Sequence, residues 1–155
     1  MMTDKQMLET VLSGLMPIEW LEWFEVEKIE EKKKEWNILL REKESRLPEG
    51  IGAQEWSLNG YRNSIGLMTF PLRSKPVYIE ILRRRWIVKG STDSISNTYD
   101  LHYPGVKATK PFADFLKELD RDALDEFLNA WPVYRRVWEE NTSLVSKFIK
   151  WISRR

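Results

Sequence analysis

The chain has 155 residues, of which 42% are hydrophobic and 32% charged, with a formal net charge of +1. This length suits one domain, or at most two very small ones, and the apolar share is enough to form a core. The absence of cysteine and the presence of one histidine, His102, exclude a disulfide framework, a thiolate zinc site and a histidine metal cluster. Because there is neither an apolar run of about 18 residues nor a basic-then-apolar leader, we expect no membrane span, no secretory signal and a cytoplasmic location.

The charges are unevenly distributed along the chain. Residues 1–60 carry 8 basic and 13 acidic side chains, residues 61–110 carry 9 and 3, and residues 111–155 carry 8 of each. A basic middle part is typical of a protein that binds an anionic partner. The acidic first part could equally neutralise it inside one fold, and the counts leave both interpretations open.

The first part of the chain predicts a helix followed by a hairpin. Thr3 and Gln6 have the spacing of a capping box, and apolar residues follow at helical intervals. Alternating apolar and polar residues over 24–29 and 36–41 then predict a β-hairpin with a charged tip. The prolines and glycines of 47–60 predict a loop.

Further strands are expected in the middle of the chain. The pattern predicts a short strand over 64–70, a turn at 73–75, a long strand over 77–88 rich in β-branched and aromatic residues, and a returning strand over 97–102. Because the connections are short, we expect this central sheet to be antiparallel.

The last third of the chain predicts only helices. Pro111 suits a first helical turn, a second helix is expected from Asp122, and two more are expected over 133–140 and 143–155. The predicted fold class is therefore α+β: an antiparallel hairpin sheet with an N-terminal helix in residues 1–108, and an all-helical segment in residues 109–155.

The last two helices also fit a helix-turn-helix. In that interpretation 143–155 is a recognition helix that presents Lys147, Lys150 and Arg154 to DNA. An ordinary C-terminal amphipathic helix has the same basic last turn, so both interpretations stay open.

The predicted strand that contains three consecutive arginines is the most informative segment for function. In an extended strand Arg83 and Arg85 lie on one face about 6.6 Å apart, close to the spacing of successive phosphates along a nucleic-acid strand. A basic hairpin of this kind offers cations to a DNA backbone, and an aromatic ring beside them can pack on a sugar or base. The alternative is that the arginines pair with carboxylates of the first hairpin and the aromatic residues are core. The predicted DNA-binding residues of this segment are Arg73, Lys75, Arg83, Arg84, Arg85 and Trp86, with Tyr78 as a second candidate ring.

Several motifs in combination resemble a known family. They are Phe24-Glu25-Val26, Trp36-Asn37-Ile38, Phe70-Pro71-Leu72-Arg73, Lys75-Pro76-Val77-Tyr78, Arg83-Arg84-Arg85-Trp86 and the segment Phe112 to Leu119. Together they resemble the N-terminal region of insertion-sequence transposases of the ISAon type, which are related to the ISL group with its zinc-ribbon-like N-terminal module. The resemblance covers most of residues 1–119.

The resemblance implies a non-catalytic, DNA-binding accessory module that positions a transposase on the terminal repeats of its element. It implies DNA as a partner, with a separately encoded catalytic transposase chain as a further one. The related group has cysteines after the arginine strand, whereas residues 87–100 here contain none. The resemblance therefore implies a ribbon-like region without metal, and we expect no cofactor.

Catalysis is the function that the residues support least. Asp120, Asp122, Asp125 and Glu126 lie near a predicted helix start, where acidic residues commonly complement the helix dipole. His102 lies between two apolar residues and is typical of a structural histidine, and the chain has no phosphate-binding glycine loop. We therefore expect no enzyme. The alternative to DNA binding is a protein-interaction module with tryptophan anchors.

Overall fold

The computed structural model describes residues 1–49 and 56–132. Its helices and strands confirm the α+β class. The helices predicted over 133–140 and 143–155 lie outside the described residues. The elements in chain order are α1 (Asp4–Leu12), α2 (Trp20–Trp23), β1 (Phe24–Glu31), β2 (Trp36–Glu42), β3 (Trp56–Tyr61), β4 (Ile65–Leu72), β5 (Lys75–Leu82), β6 (Arg84–Val88), β7 (Ser94–Ile95), α3 (Lys110–Glu118) and α4 (Arg121–Ala130).

The local sequence signals are confirmed where they are strongest. Helix α1 begins with the full capping box, in which the Thr3 side chain accepts from the Gln6 N–H and the Gln6 side chain accepts from the Thr3 N–H. Strands β1 and β2 form the predicted antiparallel hairpin. Helix α3 has Pro111 in its first turn, and the Asp120 side chain caps α4 by accepting from the Ala123 N–H.

The strands form two sheets. Sheet A has the order β1-β2-β5-β4 and sheet B the order β3-β6-β7. The pairs β1–β2, β4–β5, β3–β6 and β6–β7 are antiparallel, as expected, but β2 and β5 are parallel. The expectation of a purely antiparallel sheet was wrong for that pair, because β3 and β4 lie between β2 and β5 in the chain and supply the long connection that parallel pairing needs.

One long hairpin runs through both sheets. Strands β3 and β4 pair with β6 and β5 in turn, from Trp56 opposite Val88 to Leu72 opposite Lys75. The strand predicted over 77–88 is thus divided at Arg83 between sheet A and sheet B. We call this paired unit, residues 56–88, the ribbon.

Two predictions about where strands lie in this region were wrong. Residues 56–61 are strand β3 rather than loop, because they pair with β6 despite the positive φ of Gly60. The returning strand is β7 rather than 97–102. In the latter segment Asn97 and Tyr99 direct their side chains to Glu42 instead of extending the main-chain ladder.

Two hydrophobic cores lie on sheet A. The first packs α1 and α2 against it, and the second packs α3 and α4 around Met68 of β4. The second core joins residues from both sides of position 109, where the two predicted parts meet. Buried Thr69 links the two helical layers, since its hydroxyl donates to the Leu15 carbonyl and lies 3.1 Å from the Thr109 hydroxyl.

None of the helices that the structure describes is long and apolar enough to cross a membrane.

Candidate nucleic-acid interface

The ribbon separates the predicted DNA-binding residues into two groups. Arg73 lies in the two-residue turn between β4 and β5, and Lys75 is the first residue of β5. Arg83 follows the last residue of β5, so it lies about 26 Å from Lys75 at about 3.3 Å per residue. The structure therefore does not bring these cations into one patch.

At the turn end, the carboxylate of Glu31 in β1 pairs with both cations. One carboxylate oxygen lies 2.7 Å from Arg73 Nη2 and the other 2.8 Å from Lys75 Nζ, which also donates to the Lys32 carbonyl. The hydrogen bond from Lys75 lowers the pKa of Glu31 below its usual value, and the charges of Arg73 and Lys75 act in the same direction. The Arg73 guanidinium also lies over the Trp36 ring, 5.0 Å from its centroid. These two cations therefore share one negative charge of the first hairpin.

The middle arginine of the triplet is buried at the junction of the two sheets. Arg84 is 6% exposed, and its Nε donates to the Glu42 main-chain oxygen at 2.7 Å. Its main-chain N–H donates to Glu42 Oε1 at 2.9 Å, and its Nη1 lies 3.8 Å from Glu44. The guanidinium also lies over the Tyr61 ring. Arg84 is thus part of the protein interior in this conformation.

Trp86 is part of the interior as well. It is fully buried, and in the ladder it lies between Leu58 of β3 and Ile95 of β7. The Trp56 ring packs against it edge-on, with 4.4 Å between ring centroids. The Trp86 ring is therefore covered and does not present a face on which a base could stack.

The two outer arginines of the triplet lie on the opposite side of the ribbon from Trp86. Side chains alternate along a strand, so Arg83 and Arg85 project away from the face that holds Arg84 and Trp86. Arg62 joins them, because its main-chain N–H donates to the Arg83 carbonyl at 2.9 Å across the ladder. We call Arg62, Arg83 and Arg85 the arginine face.

The arginine face is held by neutral oxygens. All three side chains are half-buried. Within residues 1–49 and 56–132, none of the three forms an ion pair with a carboxylate. The bonds run from Arg85 Nε to the Asn59 carbonyl (2.8 Å), from Arg62 Nε to Ser96 Oγ (2.8 Å), from Arg62 Nη2 to the Ser94 carbonyl (3.1 Å) and, longer, from Arg83 Nη1 to the Asn97 carbonyl (3.5 Å).

These anchors fix the side chains without cancelling their charge. Neutral acceptors leave each guanidinium with a full positive charge, and a guanidinium has five N–H donors. Arg85 uses only its Nε in the bonds described above, so both of its terminal nitrogens keep donors for an anion. A phosphate binds such a fork in bidentate fashion.

Sequence reasoning missed Arg62. It stands alone between Tyr61 and Asn63, outside any predicted strand, and no local pattern marks it. Only the pairing of β3 with β6 brings it beside Arg83. Gly60 lies next to the arginine face, since a Cβ there would lie 4.0 Å from Arg85 Nη2. Its backbone has a φ of +71°, which favours glycine.

The remaining candidates lie elsewhere. Tyr78 is half-buried against the second core, and burial, together with the charge of Glu35, raises its pKa. His102 Nδ1 lies 2.8 Å from the Tyr103 carbonyl oxygen. Among the described residues, no group of three or more histidines, aspartates and glutamates could hold a metal ion. Lys147, Lys150 and Arg154 lie outside the described residues.

Comparisons with known proteins add no relative. No model of a protein family matches the chain, and no curated protein and no solved structure matches it.

Proposed function

We propose that the chain is a non-catalytic module that binds the DNA backbone through the arginine face. The observation that carries this proposal is that Arg62, Arg83 and Arg85 lie side by side, anchored by neutral oxygens and without a described carboxylate partner. Fixed arginines with uncompensated charge are suited to phosphate, because little side-chain freedom is lost when the contact forms.

The spacing supports a polyanion rather than a single phosphate. Arg83 and Arg85 are two residues apart in the chain, roughly 6.6 Å, which is close to the separation of neighbouring phosphates. Arg62, the residue after β3, lies opposite Arg83, about 4.8 Å away in the direction of the ladder. A backbone that crosses the ribbon can meet all three.

The resemblance described above supplies the biological setting. We propose that this module acts in the cytoplasm as the accessory N-terminal part of an insertion-sequence transposase and holds the enzyme on the terminal repeats of the element. In this proposal a separate chain supplies the catalytic carboxylates.

Fluorescence anisotropy with a random DNA duplex, measured across a salt series, tests the proposal. We expect micromolar binding that weakens steeply with salt, since each neutralised phosphate adds about −0.9 to the log–log slope. In the variant R83A/R85A we expect the slope to lose about 1.8 and the affinity to fall about 30-fold, at roughly 1 kcal/mol for each lost phosphate contact.

The variant R73A/K75A is the matched control, because it removes the same formal charge from the end of the ribbon where both cations already pair with Glu31. We expect it to change the affinity less than about threefold. Equal losses in the two variants would show that only net charge matters. Absence of wild-type binding at low salt would overturn the proposal.

A second candidate function, protein recognition, is favoured by the opposite face of sheet B. There Trp56, Leu58, Tyr61 and Ile95 are 36–40% exposed although all are large and apolar. Exposed aromatic residues of this kind are common anchors in protein interfaces. A contact built on them would be nearly indifferent to salt, so the same salt series separates the two functions.

A further inference from the structure

Glu42, the last residue of β2, is completely buried where sheet A meets sheet B. A buried carboxylate is costly unless hydrogen bonds satisfy it. Here Oε1 accepts from the Arg84 main-chain N–H at 2.9 Å. Oε2 accepts from Asn97 Nδ2 at 3.0 Å and from the Tyr99 hydroxyl. Two separate parts of the chain, the start of β6 and the segment 97–99, are thus joined to one side chain.

These bonds reach the arginine face along two routes. The first runs through Arg84, which lies between Arg83 and Arg85 in sequence. Its main-chain N–H donates to the Glu42 carboxylate, and its side-chain Nε donates to the Glu42 main-chain oxygen. The second runs through Asn97, whose amide donates to Glu42 while its carbonyl accepts from Arg83 Nη1. Glu42 therefore contacts the supports of the arginine face without touching that face itself.

We propose that Glu42 is a positioning residue for DNA binding: its buried carboxylate fixes the first residue of β6 and the Asn97 carbonyl, and so holds Arg83 and Arg85 at the spacing of the phosphates. This inference rests on the proposed function, since it assigns the arrangement of the same arginine face to a residue on the other sheet.

The direction in which DNA affinity changes when Glu42 is replaced separates a positioning role from simple electrostatics. Removing an acidic residue near a DNA-binding surface reduces repulsion of the phosphates and, by itself, raises the affinity. Positioning predicts the opposite, because a loosened support lets the arginines leave their spacing. The matched control is Glu44, which is 74% exposed and lies 3.8 Å from Arg84 Nη1. It has the same charge in the same region but accepts none of the hydrogen bonds that the Glu42 carboxylate accepts.

The variants E42Q and E44Q test the proposal by anisotropy with a random duplex. We expect E42Q to lower the affinity about fivefold and to flatten the salt slope, and E44Q to leave the affinity unchanged or raise it about twofold. Y99F removes one donor to Glu42 with little change in volume and is the milder variant if E42Q does not fold. We expect it to lower the affinity about twofold. An increase in E42Q that equals the increase in E44Q would overturn the proposal.

Hydrogen exchange of the free protein gives a readout that does not depend on DNA. In E42Q, or in Y99F, we expect the amides of β6 to exchange faster while those of β5 keep the wild-type rate. Unchanged exchange in β6 together with unchanged affinity would overturn the positioning role and leave the proposed function intact. If the wild-type chain binds no DNA, the proposed function fails, and the exchange of β6 still decides whether Glu42 holds the arginine segment.

Discussion

The two ends of the ribbon carry similar numbers of cations, but these cations have different hydrogen-bond partners. At the turn end, Arg73 and Lys75 share the carboxylate of Glu31. At the sheet B end, Arg62 and Arg85 are bonded to neutral oxygens. Similar formal charge at the two ends therefore corresponds to unequal charge available to a partner.

The difference shows that the cations of a basic segment must first be sorted into those that pair with a carboxylate and those that do not. Only then can the segment be assigned a function. The three consecutive arginines illustrate this on a smaller scale. Arg84 is buried beside Glu42, whereas Arg83 and Arg85 on the other face have no described carboxylate. One side of the strand is structural, and the other side carries the charge that we propose for DNA.

The largest expected effect concerns the stability of the sheet junction. We expect R84A to lower the free energy of unfolding by about 2 kcal/mol, because it removes the buried hydrogen bond from the Arg84 guanidinium and leaves the Glu42 main-chain oxygen without that donor. The matched variant R85A should change it by no more than about 0.5 kcal/mol, since Arg85 is anchored at the surface. Urea unfolding of both variants measures the difference, and similar values would break the division between adjacent arginines.

A smaller effect is expected at the turn end. Arg73 and Ser74 have φ values of +46° and +64°, as a two-residue type I′ hairpin turn requires, although neither is glycine. We expect S74G to raise the free energy of unfolding by about 1 kcal/mol by relieving the steric cost of a left-handed residue. DNA affinity should not change.

The control for this turn variant is S74A, which keeps a Cβ and should give no gain in stability. A gain of equal size in S74A would show that the backbone conformation is not the cause. A loss of DNA affinity in S74G would connect the turn end to binding and weaken the comparison.

The smallest effect concerns the pH dependence of the Glu31 cluster. The pKa of the Glu31 carboxyl is lowered from the usual 4.5, chiefly by the hydrogen bond from Lys75. The contribution of Glu31 to stability is therefore present above pH 4.5 and is lost as the pH falls through the lowered pKa. We expect wild type to be slightly more stable than E31Q at pH 7, with the difference disappearing in acid. Thermal unfolding from pH 7 to 2 measures it, with E30Q as a surface control. A difference that persists at pH 2 would contradict the pairing.

Much of the fold could be predicted because its signals are local. The capping box of Thr3 and Gln6 involves neighbours three residues apart, and the hairpin of β1 and β2 follows from alternation and a short charged tip. The parallel pairing of β2 with β5 could not be read in the same way, since it joins strands that are far apart in the chain. Strand β3 could not be predicted from the sequence either, because only its pairing with β6 identifies it as a strand.

The sequence by itself determined the fold class, the main helices and strands of the described residues and the presence of a basic middle segment, because periodicity, caps and composition act over a few residues. The tertiary structure decided which of the cations keep an uncompensated charge. Glu31 reaches Arg73 across 42 positions of sequence, and Glu42 reaches Arg84 across the same number. Such pairs form only when strands meet in the sheet, since ion pairs and hydrogen bonds depend on distance in space rather than on distance along the chain.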